Sequence, residues 1–263
     1  VALTVCAKQE TRVPMIGWGI TIVIFLALQY WIAKAAFFKV KKLPRYTANL
    51  LFAAKCIAGV FLYLLYTFYY TNREMADIYK FYDDGIVLKQ ILQEHPKEGI
   101  GLLIGQNKNE TLALSARMCN WNRPFTVTML NENRLLIRTN CLLAYITGGL
   151  YQLHNLFFCL LAFLGSWWLV KSLATFLSQK RLLFFVGILL LPSILLWTTG
   201  MLKESLLLFC IGYIFYFLKN KKIRLAAFLV FLFLLFVLAY TRTLLAFVFL
   251  LAALSYTLSF FLK

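Results

Sequence analysis

The stretch that decides the fold is the apolar run of residues 50–70, LLFAAKCIAGVFLYLLYTFYY, which passes directly into the hydrophilic segment TNREMADIYKFYDDG at residues 71–85. A helix needs about 20 apolar residues to cross the roughly 30 Å hydrocarbon core of a bilayer. The run has that length, so residues 50–70 are predicted to span a membrane and to open into an external loop.

The composition extends this interpretation to the whole chain. Of its 263 residues, 62% are hydrophobic and only 14% are charged, and the mean hydropathy of +0.78 is far above that of a soluble protein. A soluble globular domain and a disordered chain are therefore both excluded. The six cysteines are scattered and form no CxxC pair, so neither a zinc site nor a disulfide framework is predicted.

Seven segments approach the length of a span: residues 13–33, 50–70, 153–170, 182–198, 205–218, 225–241 and 243–262. The predicted fold is an all-α polytopic membrane protein with about seven transmembrane helices. Residues 1–70 supply the first two helices and a basic connection, residues 71–152 form a long external loop with interfacial helices, and residues 153–263 form a five-helix bundle. The first segment is expected to be a retained anchor, because its apolar run is too long for a signal peptide.

Basic residues in the connections set the predicted orientation. Lysine and arginine concentrate in residues 34–45, 171–181 and 219–224, and such clusters mark cytoplasmic connections. Lys55 is expected to snorkel to the same side. The assignment requires that residues 135–152 form an interfacial or re-entrant helix instead of crossing. The net charge of +17 then reflects topology and attraction to membrane lipids, and no nucleic-acid partner is expected.

Acidic residues lie just beyond the second predicted span. Asp77 and Asp84 are seven residues apart and share one face of a helix, so two carboxylates are expected just above the membrane surface. The pair Asp84-Gly85 is a turn signal that is predicted to end this helix. Asp83 has the same surroundings in the sequence, and for both adjacent acids a role in ending the helix is the competing interpretation.

Three charged residues interrupt the later apolar region on the predicted external side. Lys203 and Glu204 lie in WTTGMLKES, and Arg242 lies in AYTRTLLAF. Charged groups at such positions usually face a bundle interior or an aqueous cavity. Arginine suits a phosphate because its guanidinium donates two parallel hydrogen bonds. The alternatives are a simple Lys203–Glu204 pair and a snorkelling role for Arg242, while His154 beside Asn155 is interpreted as structural and not as an acyltransferase pair.

The pattern resembles the polytopic GT-C class glycosyltransferases and related bacterial polysaccharide-assembly, polymerase-like membrane proteins. Four features produce the resemblance. A span opens into an external loop whose first turn has Asp77 in ADIYKFYDDG, and interfacial helices follow in that loop. LLPSILLWTTGMLKESLLL at residues 190–208 is similar to a Pro-Ser, Trp and Lys-Glu pattern of such enzymes, and TRT supplies a later external arginine.

The resemblance implies a multi-pass protein of the plasma (inner) membrane that transfers a sugar from a polyprenyl-phosphate donor to a glycan or lipid acceptor on the external or periplasmic face. Asp77 is the implied catalytic base, with Asp83 and Asp84 in reserve. The implied phosphate-binding groups are Lys203, Arg242, Arg138 and Glu204. Glu204 would orient Lys203, or bind a divalent metal ion if one is used; no cofactor is assigned.

Two other functions remain open from the residues. A transporter or flippase for a lipid-linked glycan predicts charges deep within spans or inverted repeats. The predicted spans contain no acidic residue, and the sequence has no clear internal repeat. A non-catalytic scaffold subunit is the third hypothesis, and for it the external charges would have no importance.

Overall fold

The computed structural model describes residues 15–70, 73, 76–105, 109–122, 132–219 and 225–242, together with four isolated positions from 247 to 255. Within these ranges the chain forms helices, turns and bends and no β-strand. The predicted all-α class is therefore confirmed for the described residues. The last predicted span, residues 243–262, lies outside them apart from the isolated positions, as does most of the basic cluster 219–224.

The described α-helices are numbered in chain order. They are α1 (Met15–Lys34), α2 (Thr47–Leu64, continued by a π-helical turn at Leu65–Tyr69), α3 (Asp77–Glu94), α4 (Pro96–Ile104), α5 (Asn109–Ser115), α6 (Glu132–Thr147), α7 (Tyr151–Leu173), α8 (Gln179–Leu189), α9 (Pro192–Trp197), α10 (Lys203–Lys219) and α11 (Leu225–Thr241). A 3₁₀ turn at Ala36–Phe38 lies between α1 and α2.

Three of the described helices are long and apolar enough to cross a membrane. They are Ile16–Lys34 in α1, Thr47–Tyr69 along α2 and its π-helical turn, and Tyr151–Leu173 in α7. They correspond to the first three predicted spans, and the chain is that of a membrane protein. Helices α10 and α11 match the positions of two later predicted spans but are shorter, so a crossing by either stays a prediction.

The fourth predicted span, residues 182–198, is interrupted. Helix α8 ends at Leu189 and α9 begins at Pro192, which takes the first helical position. Proline has no backbone N–H to donate to the preceding turn and clashes with it, but it suits the first turn of a new helix. Residues 182–198, predicted as one span, thus form two shorter helices.

The chain divides into two compact units. The first comprises Val1–Leu28, Ile57–Phe158 and Gly200–Leu202, and the second comprises Gln29–Cys56, Cys159–Thr199 and Lys203–Lys263. The first unit therefore contains α3 to α6, and the second contains α8 to α11.

The core of the first unit is the packing of α3 against α6. Helix α3 continues through Gly85 to Glu94, so the prediction of a turn at Asp84-Gly85 is wrong. A Cβ atom added to Gly85 would lie 2.6 Å from the Cβ of Asn140 and 3.1 Å from the carbonyl oxygen of Ile137. Gly85 is needed because α6 approaches the backbone of α3 closely, and not because the chain turns there.

The second unit holds a similarly close helix crossing. In α7 and α10, Gly165 and Gly212 face each other, and a Cβ added to Gly212 would overlap the backbone of Gly165. Small residues at such a crossing let two helix backbones approach, which is how apolar helices commonly associate inside a bilayer.

Lysines from three basic segments of the sequence meet at one end of the second unit. The ammonium group of Lys42 donates a hydrogen bond to the carbonyl oxygen of Ala174 at 2.7 Å. Lys171 donates to the carbonyl oxygen of Phe37 at 3.1 Å, and Lys219 donates to that of Lys171 at 3.0 Å. Each lysine thus satisfies backbone carbonyl groups at or near a helix end.

This arrangement bears on the number of crossings. If α2 and α7 both span the bilayer, the start of α2 and the end of α7 share one face only when the chain between them does not cross or crosses an even number of times, so α6 cannot be a single extra span. Helix α6, which covers most of residues 135–152, is not one of the helices long and apolar enough to span. Both observations support the predicted interfacial or re-entrant helix.

Candidate functional site

Asp77 is the exposed carboxylate of the three predicted catalytic acids. It is the first residue of α3, and its side chain is 61% exposed. It forms an ion pair with the ammonium group of Lys80, at 2.9 Å and one turn further along the helix. An exposed ion pair of this kind contributes little to stability and exchanges readily with water, so the carboxylate is accessible to a ligand.

Asp83 is bound by an arginine that precedes α3. The guanidinium of Arg73 donates two hydrogen bonds to the carboxylate, at 2.6 and 2.8 Å, and lies 4.0 Å from the ring centroid of Tyr79. Burial raises the pKa of Asp83, and Arg73 opposes this rise. This bidentate ion pair attaches Arg73, which lies between α2 and α3, to helix α3.

Asp84 is buried and anchors a distant turn. The residue is only 3% exposed, and its carboxylate accepts hydrogen bonds from the backbone N–H groups of Cys119 at 3.1 Å and Asn120 at 2.7 Å. Burial raises the pKa of the Asp84 carboxyl to about 6, and the N–H donors act in the opposite direction. Of the three acids, Asp83 and Asp84 therefore have scaffold contacts and Asp77 faces outward.

The raised pKa of Asp84 predicts a pH dependence of stability. Between about pH 4 and pH 6 the folded protein keeps this proton while the unfolded chain loses it, so the contribution of Asp84 to the free energy of unfolding falls as pH rises through that window. Thermal unfolding of wild type and of Asp84→Asn, followed from pH 4 to pH 7, measures this. The stability of wild type relative to the variant should decline with pH and level off above pH 6; a rise would contradict the assignment.

His154 belongs to a buried polar network in the first unit. Its Nδ1 lies 2.8 Å from Oδ1 of Asn140, and its Nε2 lies 2.8 Å from Oγ1 of Thr147. The ring of Tyr82 packs edge-on against the imidazole at 5.2 Å. Both ring nitrogens are thus engaged in joining α7 to α6, which agrees with the structural interpretation of His154.

Arg138, a predicted phosphate-binding residue, connects α6 to α4. Its Nε and Nη2 donate to the carbonyl oxygen of Leu102, at 3.1 and 2.9 Å. Leu102 lies in the last turn of α4, where carbonyl groups lack partners within the helix. The guanidinium also lies 5.3 Å from the ring centroid of Trp121, and these contacts place Arg138 in the scaffold of the first unit.

The remaining predicted phosphate-binding residues lie in the second unit. Lys203 and Glu204 are half-buried in the first turn of α10, and Arg242 is exposed directly after the end of α11. Asp77 lies in the first unit. The meeting of these groups around one ligand stays a prediction.

Lys55 is a polar residue whose importance was missed in the sequence. It is completely buried in the second unit, and its ammonium group donates to Oγ1 of Thr198 at 2.9 Å. The prediction that Lys55 snorkels to the cytoplasmic side is wrong, because Thr198 supplies an acceptor inside the protein. The available signal was its isolation: it is the one charged residue in the apolar run 50–70.

Within the described residues, no three histidine, cysteine, aspartate or glutamate side chains lie together in the way that a metal site requires. The same part of the chain contains one disulfide-bonded cysteine, Cys119, which the cysteine spacing did not predict.

No family model, curated protein or solved structure matches this chain. The resemblance to GT-C class glycosyltransferases therefore rests on the sequence pattern alone.

Proposed function

We propose that this protein is a membrane glycosyltransferase that moves a sugar from a polyprenyl-phosphate donor to a glycan or lipid acceptor on the external face of the plasma (inner) membrane. The observation that supports it most is the exposure of Asp77, at the start of the first helix after a membrane-length span. Asp83 and Asp84 contact Arg73 and backbone N–H groups, which leaves Asp77 as the acid best suited to meet a substrate.

In the proposed reaction, an acceptor hydroxyl attacks the anomeric carbon of the donor. Its proton passes to the carboxylate of Asp77 while the bond between the anomeric carbon and the phosphate oxygen breaks. The released polyprenyl phosphate carries the negative charge that develops, and Lys203 and Arg242 are proposed to stabilise it. Glu204 would orient Lys203, or hold a divalent ion if the reaction uses one.

The disulfide of Cys119 supports an external location for the region around α3 to α6. Disulfides persist in oxidising compartments, which include the periplasm and the cell surface, and are rare in the cytosol. The lysines that meet at one end of the second unit support a cytoplasmic location for that end.

Labelling of introduced cysteines tests this orientation. Lys97 at the start of α4 and Ser178 just before α8 are both exposed. We expect Lys97→Cys to react with a membrane-impermeant maleimide in intact spheroplasts, and Ser178→Cys to react only after permeabilisation. Wild type under the same conditions gives the background. Reaction of Ser178→Cys in intact spheroplasts would overturn the proposed topology.

The activity is tested with purified protein in lipid nanodiscs. Polyprenyl-phosphate hexoses are supplied one at a time with a lipid-linked acceptor, and release of polyprenyl phosphate is measured together with glycosylated product. Coupled formation of both supports the proposal. The proposal would be contradicted if no donor that binds gave any glycosylated product, even where polyprenyl phosphate was released.

A transporter of lipid-linked glycan is the second candidate, and one observation favours it. Lys55 is a charged residue buried in a membrane-length helix, which is a feature of transport pathways. A transporter would move a fluorescent polyprenyl-phosphate sugar across proteoliposomes without consuming it, and Asp77→Asn would leave this movement unchanged.

A further inference from the structure

Three ammonium groups lie close together at one end of the second unit. They belong to Lys42, Lys171 and Lys219, which come from segments far apart in the sequence, and we call them the lysine cluster. The charges of Lys42 and Lys171 both repel that of Lys219. Each of the three residues is half-buried, so the cluster keeps part of its surface open to a ligand.

Backbone carbonyl groups hold the lysine cluster in place. The ammonium group of Lys42 donates to the carbonyl oxygens of Ala174 and Leu177, both at 2.7 Å. Lys219 and Lys171 each donate to one backbone carbonyl group as well. A carbonyl group carries no net charge, so these contacts orient the ammonium groups and leave their positive charge in place. The cluster is therefore organised before any anion binds.

The acidic residues of the second unit do not neutralise this charge. Glu204 is the one acidic residue that the sequence places within the ranges of the unit, and residues 220–224, which follow Lys219, add only basic and neutral side chains. Glu204 lies in the first turn of α10 and Lys219 in the last, roughly 22 Å further along the helix. Salt screens exposed charges at that separation, so the balancing anion must come from outside the unit.

The surroundings of the lysine cluster match the boundary of a bilayer. Helix α7 is of membrane length and ends at Leu173, and Lys171 lies in its last turn. Just beyond that end, Phe176 is 76% exposed, and its ring centroid lies 5.9 Å from the ammonium group of Lys219. Aromatic rings and lysines at the ends of spans lie where acyl chains meet charged headgroups. A lipid can use both the ring and the ammonium groups, whereas a free phosphate can use only the latter.

We propose that the lysine cluster binds the headgroup phosphate of an anionic phospholipid, and that Phe176 packs against its acyl chains. The phosphate supplies the negative charge that the unit lacks, and the ammonium groups bind it as point charges. Basic pockets between helices at the ends of spans are suited to such headgroups. The site is independent of the proposed glycosyltransferase reaction, in which none of these residues takes part.

Lipid titrations of the full chain in a neutral detergent test the site. Phosphatidylglycerol and phosphatidylcholine with the same acyl chains are added separately, and native mass spectrometry gives the affinity for the first bound lipid. We expect phosphatidylglycerol to bind about tenfold more tightly. Equal affinities of the two lipids would overturn the proposal. Binding of soluble glycerol 3-phosphate as tight as that of phosphatidylglycerol would also overturn it, because the site would then take a free phosphate.

Substitutions make the same test on the protein. Lys219→Gln removes one charge of the cluster, while its amide can still donate to the carbonyl oxygen of Lys171. It should weaken the binding of phosphatidylglycerol about fivefold, the effect of one basic residue near an anionic surface. Lys219→Arg keeps the charge and should bind nearly as wild type does. Lys171→Gln takes the place of Lys219→Gln, with the same expectation, if the latter does not fold.

Lys34→Gln is the matched control. It removes an exposed charge at the end of α1, in the same unit but outside the lysine cluster. Because an exposed charge away from the site is screened by salt, its loss should weaken binding by less than about twofold. Equal losses in Lys34→Gln and Lys219→Gln would mean that the overall charge of the protein attracts anionic lipid and that the cluster is not a site. Wild-type affinity in a folded Lys219→Gln or Lys171→Gln variant would likewise refute the proposal.

Discussion

Asp77→Asn is expected to reduce sugar transfer by about 10²–10⁴-fold, the usual contribution of a general base. Asparagine has nearly the same shape as aspartate but cannot accept the proton of the acceptor hydroxyl. Because the Asp77 side chain is exposed, its replacement should leave the unfolding midpoint unchanged. The measurement is the initial rate of polyprenyl phosphate release in nanodiscs.

Lys80→Met is the matched control for this variant. It removes the ion pair at 2.9 Å but keeps the carboxylate of Asp77. If Asp77 acts as a base, Lys80→Met should lower the rate by less than tenfold. If Lys80→Met lowered the rate of sugar transfer as much as Asp77→Asn does, the ion pair and not a base at Asp77 would explain the loss. Full activity of Asp77→Asn would remove Asp77 from the mechanism.

Gly212→Ala should destabilise the second unit by about 3 kcal/mol, at the upper end of the usual effect of overpacking. The added methyl group would meet the backbone of Gly165, with the Cα atom of that residue 2.7 Å away. A side chain could turn aside, but a backbone at a helix crossing cannot move without displacing α7. The free energy of unfolding in detergent, measured with increasing denaturant, gives the size of the effect.

Gly187→Ala is the control for the crossing. Gly187 also lies in a helix, α8, but no atom would lie within 4 Å of an added Cβ. Its replacement should be neutral or slightly stabilising, since alanine is the better helix former. Equal effects of the two substitutions would mean that general helix propensity, and not the close contact of Gly165 with Gly212, explains the result.

The sequence predicted the helices that depend on length and composition. The first three spans follow from runs of apolar residues about as long as a bilayer is thick, and α6 was distinguished from a span by Arg138, Asn140 and its threonines. These properties belong to one segment at a time, so they can be recognised without knowing what the segment contacts.

The features that were missed depend on contacts between distant segments. Gly85 follows an aspartate, as in many turns, and only the approach of α6 explains why the helix continues there. Asp84 looked equivalent to Asp77 until the backbone of Cys119 and Asn120 was seen to enclose it. Lys55 could reach water by snorkelling in an isolated helix, but Thr198 binds it inside the protein.

The hydrogen bonds between Arg73 and Asp83 have a consequence for which acceptors could react. They fasten the short connection between α2 and α3, and the seven residues from Tyr70 to Asp77 can reach at most about 24 Å. If Asp77 is the base, it is thereby kept within that distance of the end of α2. A transferase built in this way would sort acceptors by how far their hydroxyl groups stand from the bilayer, and lengthening the connection would widen that range.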